Sequence, residues 1–232
     1  MGLDPSPSYR RDGVTQQTSD PTSGDPTAGE STEQAGRLQR SAAQMQVRRR
    51  WAEAEALAGR ASSLLAAQPD APELARTCQA LAGTFDDLGH HIQAEALYRR
   101  AGAIFSALPT GGIDDLFRIR AARGLAANLR MQGRSGEADA ILVAALALAE
   151  QLLGPSDVDT LATMTGLGLL WEGSGRVDEA EELYRQALNR AELTAGSDPD
   201  EVAGIAASLA GLLERRGRRQ EPVMASPPAA GG

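Results

Sequence analysis

Lysine is absent from the 232-residue chain, cysteine occurs once, and aromatic residues make up only 3% of it. All 23 basic residues are therefore arginine, which reflects either a coding bias toward arginine or a need for planar carboxylate recognition. The single cysteine, Cys78, excludes an intramolecular disulfide and suits a reducing compartment. With few aromatics and an excess of alanine and leucine, the composition favours closely packed helices over a β-sandwich. We predict an all-α protein.

A basic surface and long apolar runs are also lacking. The 31 acidic residues outnumber the basic ones and give a net charge of −8, so no broad positive face is expected for binding a nucleic-acid backbone. The first residues, MGLDPSPSYRRDG, contain no apolar signal core, and no segment approaches the roughly 20 apolar residues of a membrane span. We expect a soluble, cytoplasmic protein that binds neither nucleic acid nor membrane.

Both ends of the chain are poor in large aliphatic residues. Residues 1–33 are rich in Ser, Thr, Pro, Gly and Asp, and residues 219–232 contain paired prolines and end in glycines. Such segments bury too little apolar surface to offset the entropy lost on ordering. We predict a disordered N-terminal arm (1–33), a folded domain (34–218) and a disordered C-terminal tail (219–232).

The region between these ends repeats itself with a nearly constant period. Glycines predicted to lie in short turns are spaced by 44, 42 and 42 residues, at Gly89, Gly133, Gly175 and Gly217. Eight residues before each stands a leucine: Leu81, Leu125, Leu167 and Leu209. Five residues after the first three stands an alanine: Ala94, Ala138 and Ala180. Helical periodicity on both sides of each turn predicts helical hairpins that must stack to cover their apolar faces.

This pattern resembles the tetratricopeptide repeat, and the period of about 42 residues resembles the longer repeats of kinesin light chain. The acidic linkers LLGPSDVDTLA (152–162) and TAGSDPDEVAG (194–204) are similar to the linkers of that family, although its histidine is missing here. The resemblance covers residues 71–217 and implies an α-α superhelical solenoid of about four and a half hairpins. Residues 37–65 would form a degenerate first unit in which Arg49 replaces the turn glycine.

The resemblance also implies a concave groove lined by the first helix of each hairpin. Positions spaced by three, four and three residues before each turn glycine share one helix face. The candidate groove residues with polar side chains are Arg76, Gln79, Asp86, Arg120, Arg123, Arg130, Thr165 and Glu172. Three arginines in one unit favour an acidic peptide or protein segment as ligand, and the alternative is that they are ordinary surface arginines. Asparagines that the family uses to clamp chaperone tails are missing.

Residues suited to catalysis or metal binding do not converge in the sequence. His90 and His91 lack a third ligand or a nucleophile and are interpreted as exposed turn residues. Cys78 falls on a core face and is interpreted as an inert buried thiol. The glycines of TGLGLLWEGSG (165–175) fall on packing and turn positions and are not followed by Gly-Lys-Ser, which argues against a phosphate loop. We predict no enzyme activity, cofactor or metal.

The preferred hypothesis is a protein-protein interaction module that binds its partner in the groove. The alternatives are a self-associating assembly module and a regulatory repeat module of a larger signalling or transcriptional system. Self-association is suggested by Ile205 and Leu212 in the last predicted helix, which lie seven residues apart and would form an uncovered apolar strip. This strip predicts a homodimer through the C-terminal helix.

Overall fold

The computed structural model describes residues 28–193 and 199–220, which form helices joined by short turns and linkers, without β-strands. The helices are α1 (Ala28–Val47), α2 (Trp51–Ala66), α3 (Pro72–Asp87), α4 (His91–Ala107), α5 (Ile113–Met131), α6 (Ser135–Leu152), α7 (Val158–Gly173), α8 (Val177–Leu193) and α9 (Pro199–Gln220). The first eight pair into four antiparallel hairpins, and α9 packs on the fourth. The predicted all-α solenoid of four and a half hairpins is confirmed.

The first helices of the hairpins form the inner layer of the solenoid. Each of α1, α3, α5, α7 and α9 contacts the next in this series, whereas in the described part of the chain α2, α4, α6 and α8 do not contact one another. Helices that approach on one side and separate on the other produce a curved stack. The inner face of α3, α5, α7 and α9 is therefore the concave face, as the resemblance implied.

Small residues determine how closely the helices pack. The alanines predicted to lie at the hairpin contacts are fully buried, among them Ala94, Ala138 and Ala180. Tyr98 packs against Gly124, and Tyr184 against Gly168, so closely that a β-carbon on either glycine would overlap the tyrosine ring. A tyrosine opposite a glycine thus fills the space between the helices without a void.

Three of the four predicted turn glycines adopt the conformation that requires glycine. Gly89, Gly133 and Gly175 have φ angles of 80°, 77° and 83°, in the left-handed region that disfavours other residues. The prediction for Gly217 was wrong, because α9 continues through it to Gln220. A glycine within a helix costs some stability but does not end the helix unless the following residues favour a turn.

Arg49 occupies the place of the turn glycine in the first hairpin and adopts the same conformation, with φ of 57°. Its N–H donates to the Gln46 carbonyl oxygen at 2.8 Å, as the Gly89 N–H donates to the Asp86 carbonyl oxygen at 2.9 Å. The turn is therefore conserved in geometry although its residue is not glycine. A residue with a β-carbon is strained there by about 1–2 kcal/mol.

Replacing Arg49 by glycine should raise the free energy of unfolding by about 0.5–1 kcal/mol, because relief of strain exceeds the added chain entropy of glycine. Urea denaturation followed by circular dichroism would measure the change. The reciprocal variant Gly89→Ala should be destabilised by about 1 kcal/mol. Equal stability of Arg49→Gly and the unmodified chain would contradict the assignment of strain to this turn.

The N-terminal boundary of the folded part differs from the predicted one. Helix α1 begins at Ala28, so residues 28–33, assigned to the arm, form its first turns. Ser31 in these turns is buried, and Thr32 lies beside Ala71 and Leu74 at the start of α3. Packing against α3 explains why this polar stretch is helical. The rest of the predicted arm (1–27) and residues 221–232 of the predicted tail lie outside the described residues.

A ladder of polar side-chain pairs connects successive hairpins at their turns. The residue that follows each turn glycine is basic, and it contacts a carboxylate on the second helix of the preceding hairpin. The pairs are His90 with Glu55 at 3.0 Å, Arg134 with Glu95 at 2.8 Å and Arg176 with Asp139 at 3.4 Å. The hydrogen bond from Gln132, together with those from Arg99 and Arg134, lowers the pKa of Glu95 to about 2 against the opposing effect of burial.

The linker between the second and third hairpins is closed by a nearly buried ion pair. Arg118 donates to the carbonyl oxygens of Phe105 and Leu108 at 3.0 and 2.9 Å, and to the Asp115 carboxylate at 2.7 Å. The other oxygen of Asp115 accepts the N–H of Gly111 at 2.6 Å. The Arg118 guanidinium group therefore provides hydrogen-bond donors to carbonyl groups at the end of α4, and the Asp115 carboxylate provides an acceptor for an N–H group at the start of α5.

Candidate functional site

The inner faces of α5, α7 and α9 enclose an open cavity of about 770 Å³, which we call the inner groove. Of the eight predicted polar groove residues, four line it: Arg120, Arg123, Arg130 and Thr165. Its other lining residues are mostly small or apolar: Gly124, Ala126, Ala127, Leu142, Val158, Asp159, Ala162, Gly166, Leu169, Leu170, Gly204 and Ile205. The volume lies in the range of sites that bind small ligands or a few side chains of a peptide.

Two of the three groove arginines are held by one carboxylate. Asp159, at the start of α7, accepts from Arg120 through both oxygens at 2.8 Å and from Arg123 at 2.9 Å. The Asp159 side chain is only 5% exposed. This bidentate contact between a guanidinium group and a carboxylate connects α5 rigidly to α7. It also neutralises part of the positive charge of the two arginines.

The two arginines differ in their environment although they share Asp159. The hydrogen bond to Asp159 raises the pKa of Arg120 above its usual value. Burial lowers the pKa of Arg123, and the attraction of Asp159 only partly offsets this effect. Both groups carry positive charge at neutral pH, because arginine is effectively always protonated in proteins. The pair is thus a permanent positive element of the groove wall.

Arg130 is the groove arginine that remains available to a ligand. Its side chain is exposed, and within residues 28–193 and 199–220 it makes no hydrogen bond or ion pair. Three arginines and one aspartate give the lining of the groove a net charge of +2, whereas the chain as a whole carries −8. The groove is therefore a local positive site on an acidic protein.

The rest of the groove surface is apolar. Leu169, at 45% exposure, and the exposed Val158 project from α7, while Ala127 and Ala162 leave space between the helices. Thr165 donates its hydroxyl to the Leu161 carbonyl oxygen of its own helix at 3.0 Å. A site with an apolar floor and a few charged groups at one side suits an amphipathic ligand.

The other predicted groove residues lie outside this cavity and are engaged within the chain. Arg76 donates to Asp114 at 2.7 Å and lies over the Phe117 ring at 5.1 Å. Asp86 accepts from Asn128 at 2.5 Å. Glu172 accepts from Arg215 at 2.5 Å and lines a neighbouring cavity between α7, α8 and α9. Gln79, on α3, is the exception: it also does not line the inner groove, but its buried Oε1 atom has no hydrogen-bond partner among the described residues.

The predicted self-association strip is not exposed. Ile205 is 3% exposed and packs among the core residues of α7 and α8, and Leu212 is 1% exposed and packs against Tyr184. The prediction that these side chains form an uncovered apolar surface is therefore wrong. Helix α9 is oriented so that Ile205 and Leu212 face the fourth hairpin. Their large aliphatic side chains bury more apolar area there than the alanines of the opposite face would.

The histidines and the cysteine have structural surroundings. His91 lies 2.9 Å from Asp86, and His90 packs edge-on to Phe85, so both are half-buried rather than exposed as predicted. Cys78 is fully buried, and burial raises the pKa of its thiol to about 11, which fits an unreactive core residue. The described residues contain no group of three potential metal ligands, and no described helix is long and apolar enough to cross a membrane.

Sequence reasoning missed the residues that organise the groove, above all Asp159. This aspartate was noticed only as part of a linker, and its arginine partners lie 39 and 36 residues away. A usable signal exists in the spacing: Arg76 and Arg120 hold equivalent positions, and each pairs with an aspartate at the start of the next inner helix, Asp114 or Asp159.

The stacked helical hairpins and their concave inner face define the class of protein: a helical repeat solenoid. Residues 117–193, which span most of α5 to the end of α8, match the family model described as tetratricopeptide repeat. This match confirms the predicted resemblance to the tetratricopeptide repeat. No curated protein matches the chain.

Solved structures of similar fold agree with this assignment. BtubC (BKLC) from P. vanneervenii is 19% identical with a TM-score of 0.60, covering 83% of this chain and 85% of that one. A putative kinesin light chain of Podosopora anserina with nearly identical TPR-like repeats is 22% identical with a TM-score of 0.64, covering 82% and 91%. The Rap conjugation gene regulator of plasmid pLS20, solved with the Phr* peptide, is 17% identical with a TM-score of 0.59, covering 90% and 56%. At these identities the likeness shows the fold alone.

Proposed function

We propose that the chain is a non-enzymatic interaction module that binds an acidic segment of a peptide or protein partner in the inner groove. The observation that carries this proposal is Arg130, an exposed guanidinium group beside an open apolar floor and without a partner in the described residues. An arginine so placed can donate two parallel hydrogen bonds to a carboxylate. The single buried thiol suits a reducing, cytoplasmic setting.

The charge distribution favours an acidic segment over a basic or neutral one. A ligand carboxylate near Arg130 also experiences Arg120 and Arg123, whose charge Asp159 compensates only in part. A basic segment would meet the net positive lining and would be repelled. The acidic remainder of the surface would steer an acidic partner away from other faces, so electrostatics supports specificity for the groove.

The similar structures give independent support for peptide binding as the general mode. The Rap regulator of pLS20 binds the Phr* peptide, and its fold covers most of this chain. Helical repeat proteins present extended concave surfaces, and these accommodate elongated ligands. These structures support peptide binding only, and the acidic character of the proposed partner rests on the charges of this chain's own groove.

Arg130→Glu should reduce the affinity for an acidic partner by at least about tenfold, because it replaces the free guanidinium group by a like charge. The exposed position predicts an unchanged helical circular dichroism spectrum. Arg60→Glu on the exposed side of α2 is the matched control, since it changes the net charge equally far from the groove.

Co-precipitation from a cell extract identifies the partner, and isothermal titration with the purified partner measures the affinity. Substituting Arg123 as well would be less informative, because a glutamate there would face Asp159. Equal affinities of the Arg130→Glu and Arg60→Glu variants would refute binding of an acidic segment in the groove.

Self-association through α9 is a second candidate, supported by a face other than the one predicted. Ala203, Ala210 and Leu213 are exposed, whereas the equivalent residues of α7 are at least partly covered by neighbouring helices, α8 among them: Leu161, Gly168 and Trp171. On α7 this face packs against other helices. On α9 the same face is exposed, and we propose that the α9 helix of a second copy of the chain packs on it. The small side chains allow two antiparallel α9 helices to approach closely.

Light scattering should then give the mass of a dimer for the unmodified chain and of a monomer for Leu213→Glu. Ile92→Glu is the control, since Ile92 is exposed on α4, away from α9. A monomer at tens of micromolar for the unmodified chain would exclude this dimer. A dimer that persists in Leu213→Glu would place the interface elsewhere.

A further inference from the structure

The turn of the first hairpin carries a compact surface that is both basic and apolar. Helix α1 ends at Val47 and α2 begins at Trp51, so these two side chains flank the turn residues Arg48, Arg49 and Arg50. Val47 is 87% exposed and Trp51 is 52% exposed, and all three arginines are exposed as well. We call residues 47–51 the arginine tip. It lies apart from the inner groove, because α1 contacts only α2 and α3 among the described helices.

The positive charge of the arginine tip is only partly neutralised. Arg50 donates to the Glu53 carboxylate at 2.6 Å, whereas the Arg48 and Arg49 side chains make no hydrogen bond or ion pair in the described part of the chain. Residues 34–52 contain five arginines and no acidic residue, although the whole chain has a net charge of −8. The tip is therefore a local positive pole with two guanidinium groups available to a partner.

The backbone of the turn indicates that the arginine at position 49 does more than complete the fold. Arg49 is the one described residue other than glycine with a φ angle in the left-handed region, where the equivalent turns have Gly89, Gly133 and Gly175. Its side chain is exposed, so no core packing offsets the strain. The helix end does not require basic residues either, since α3 and α7 have none in their last turns. Backbone strain of this kind is typical of binding sites.

The arginine tip is also held in one conformation. The N–H groups of Arg49 and Arg50 donate to the Gln46 and Met45 carbonyl oxygens, both at 2.8 Å, and the Ala54 N–H donates to the Arg50 carbonyl oxygen at 3.0 Å. These bonds fix the turn to both helices. Because the turn is already ordered, a partner that binds it does not have to offset a large loss of chain entropy.

We propose that the arginine tip is a second interaction surface, which inserts into an apolar pocket with an acidic rim on a folded protein. Tryptophan and arginine are the side chains that most often dominate the energy of protein interfaces. Trp51 and Val47 supply the apolar centre, and Arg48 and Arg49 supply cations for carboxylates at the rim. A convex tip fits a concave partner site, which is the reverse of the inner groove. The proposal therefore goes beyond the proposed function and does not depend on it.

A folded protein suits this surface better than a membrane or a nucleic acid does. Anionic membranes are recognised by clusters of about four to eight basic residues, more than the tip contains. A phosphate backbone offers no apolar counterpart to Val47 and Trp51, and the net charge of −8 opposes the approach of the chain to either polyanion. A protein pocket contacts only the side chains that enter it. It also excludes water, which strengthens each ion pair.

The first experiment introduces the photo-crosslinking residue p-benzoylphenylalanine at position 47 of the full chain, in the cells that naturally make it. We expect a defined cross-linked product with one protein. The matched control has the same residue at position 143, because Val143 is 48% exposed on α6, away from the tip. Equal products from the two positions, or no product from position 47, would overturn the proposal.

The cross-linked protein is then purified, and isothermal titration measures its affinity for variants of the chain. Arg48→Glu and Trp51→Ala should each weaken binding by about tenfold or more. Arg60→Glu on the exposed side of α2 changes the net charge equally and should leave the affinity unchanged. Replacing the contacted acidic residue of the partner by arginine should restore the binding of Arg48→Glu. This restoration would show direct contact and exclude misfolding as the cause of the loss.

Arg49→Gly separates binding from stability. It should be more stable than the unmodified chain and yet bind the partner about tenfold more weakly, whereas a purely structural role of Arg49 would change the stability alone. Unchanged affinity of Arg48→Glu or of Arg49→Gly would overturn the proposal. Binding to vesicles of phosphatidylserine and phosphatidylcholine that depends on Arg48, without a cross-linked protein, would replace the protein partner by a membrane surface.

Discussion

Arg118→Ala should lower the free energy of unfolding by about 3–5 kcal/mol, the largest effect expected of any single substitution discussed for this chain. Arg118 is the sole side chain that donates to the carbonyl oxygens of Phe105 and Leu108 among the described contacts, and it pairs with Asp115. Its removal leaves the Asp115 carboxylate, 4% exposed, without its cationic partner. The buried carboxylate without a counterion and the Leu108 carbonyl group without its donor both carry desolvation penalties, whereas the Phe105 carbonyl oxygen still accepts the Leu108 N–H.

Urea denaturation would measure this loss, and hydrogen exchange should show it concentrated at the junction of α4 and α5. Arg118→Lys retains the charge but not the planar fork, so its destabilisation should be roughly half as large. Arg37→Ala serves as the control, because the Arg37–Glu33 pair is exposed and worth about 0–1 kcal/mol. A loss below about 1 kcal/mol in Arg118→Ala would show that the linker is held by other contacts.

Asp159→Ala should lower the free energy of unfolding by about 2–4 kcal/mol and, at the same time, strengthen the binding of an acidic peptide. The substitution removes three charge-assisted hydrogen bonds and leaves Arg123 partly buried without its counterion. The destabilisation is smaller than for Arg118 because water can solvate the more exposed Arg120. Binding improves because the net charge of the groove lining rises from +2 to +3.

Opposite changes in stability and affinity distinguish this result from simple misfolding, which would weaken both. Asp157→Ala is the comparison on the same helix: it removes the N-cap hydrogen bond to Asp159 N and should cost about 1 kcal/mol. Because the Asp157 carboxylate also acts on Arg120 without pairing with it, its removal should strengthen binding less than the removal of Asp159. Unchanged affinity in Asp159→Ala would mean that the ligand does not contact the Arg120–Arg123 side of the groove.

The repeat architecture could be predicted from the sequence because its causes are local. Gly89, Gly133 and Gly175 mark turns that only glycine adopts without strain, and alanines at fixed distances from them mark close helix contacts. Even Arg49 was recognised as a replacement for a turn glycine by its position alone. Helical periodicity then requires hairpins that cover one another, so the all-α solenoid follows, whereas its concave inner face was implied by the family resemblance.

The candidate site could be predicted only in part. The inward positions of Arg120, Arg123 and Arg130 follow from helical spacing, but the spacing carries no information about which arginine is already paired. That depends on Asp159, which approaches the first two only when α7 stacks on α5. Whether Arg130 is left free likewise depends on residues of neighbouring helices.

Helix α9 shows most clearly which properties follow from the sequence and which depend on tertiary contacts. Its sequence has apolar residues on two faces, and periodicity led to the wrong prediction that Ile205 and Leu212 would face outward while Leu209 and Leu213 were buried. The tertiary structure buries the first pair against the fourth hairpin, since those side chains fill the available space. The sequence by itself determined the helices, the turns and the repeat, because short-range sterics and periodicity govern them. Only the tertiary structure decided which charges are paired, which face is covered and where the groove is open, because those properties depend on contacts between residues about 40 positions apart.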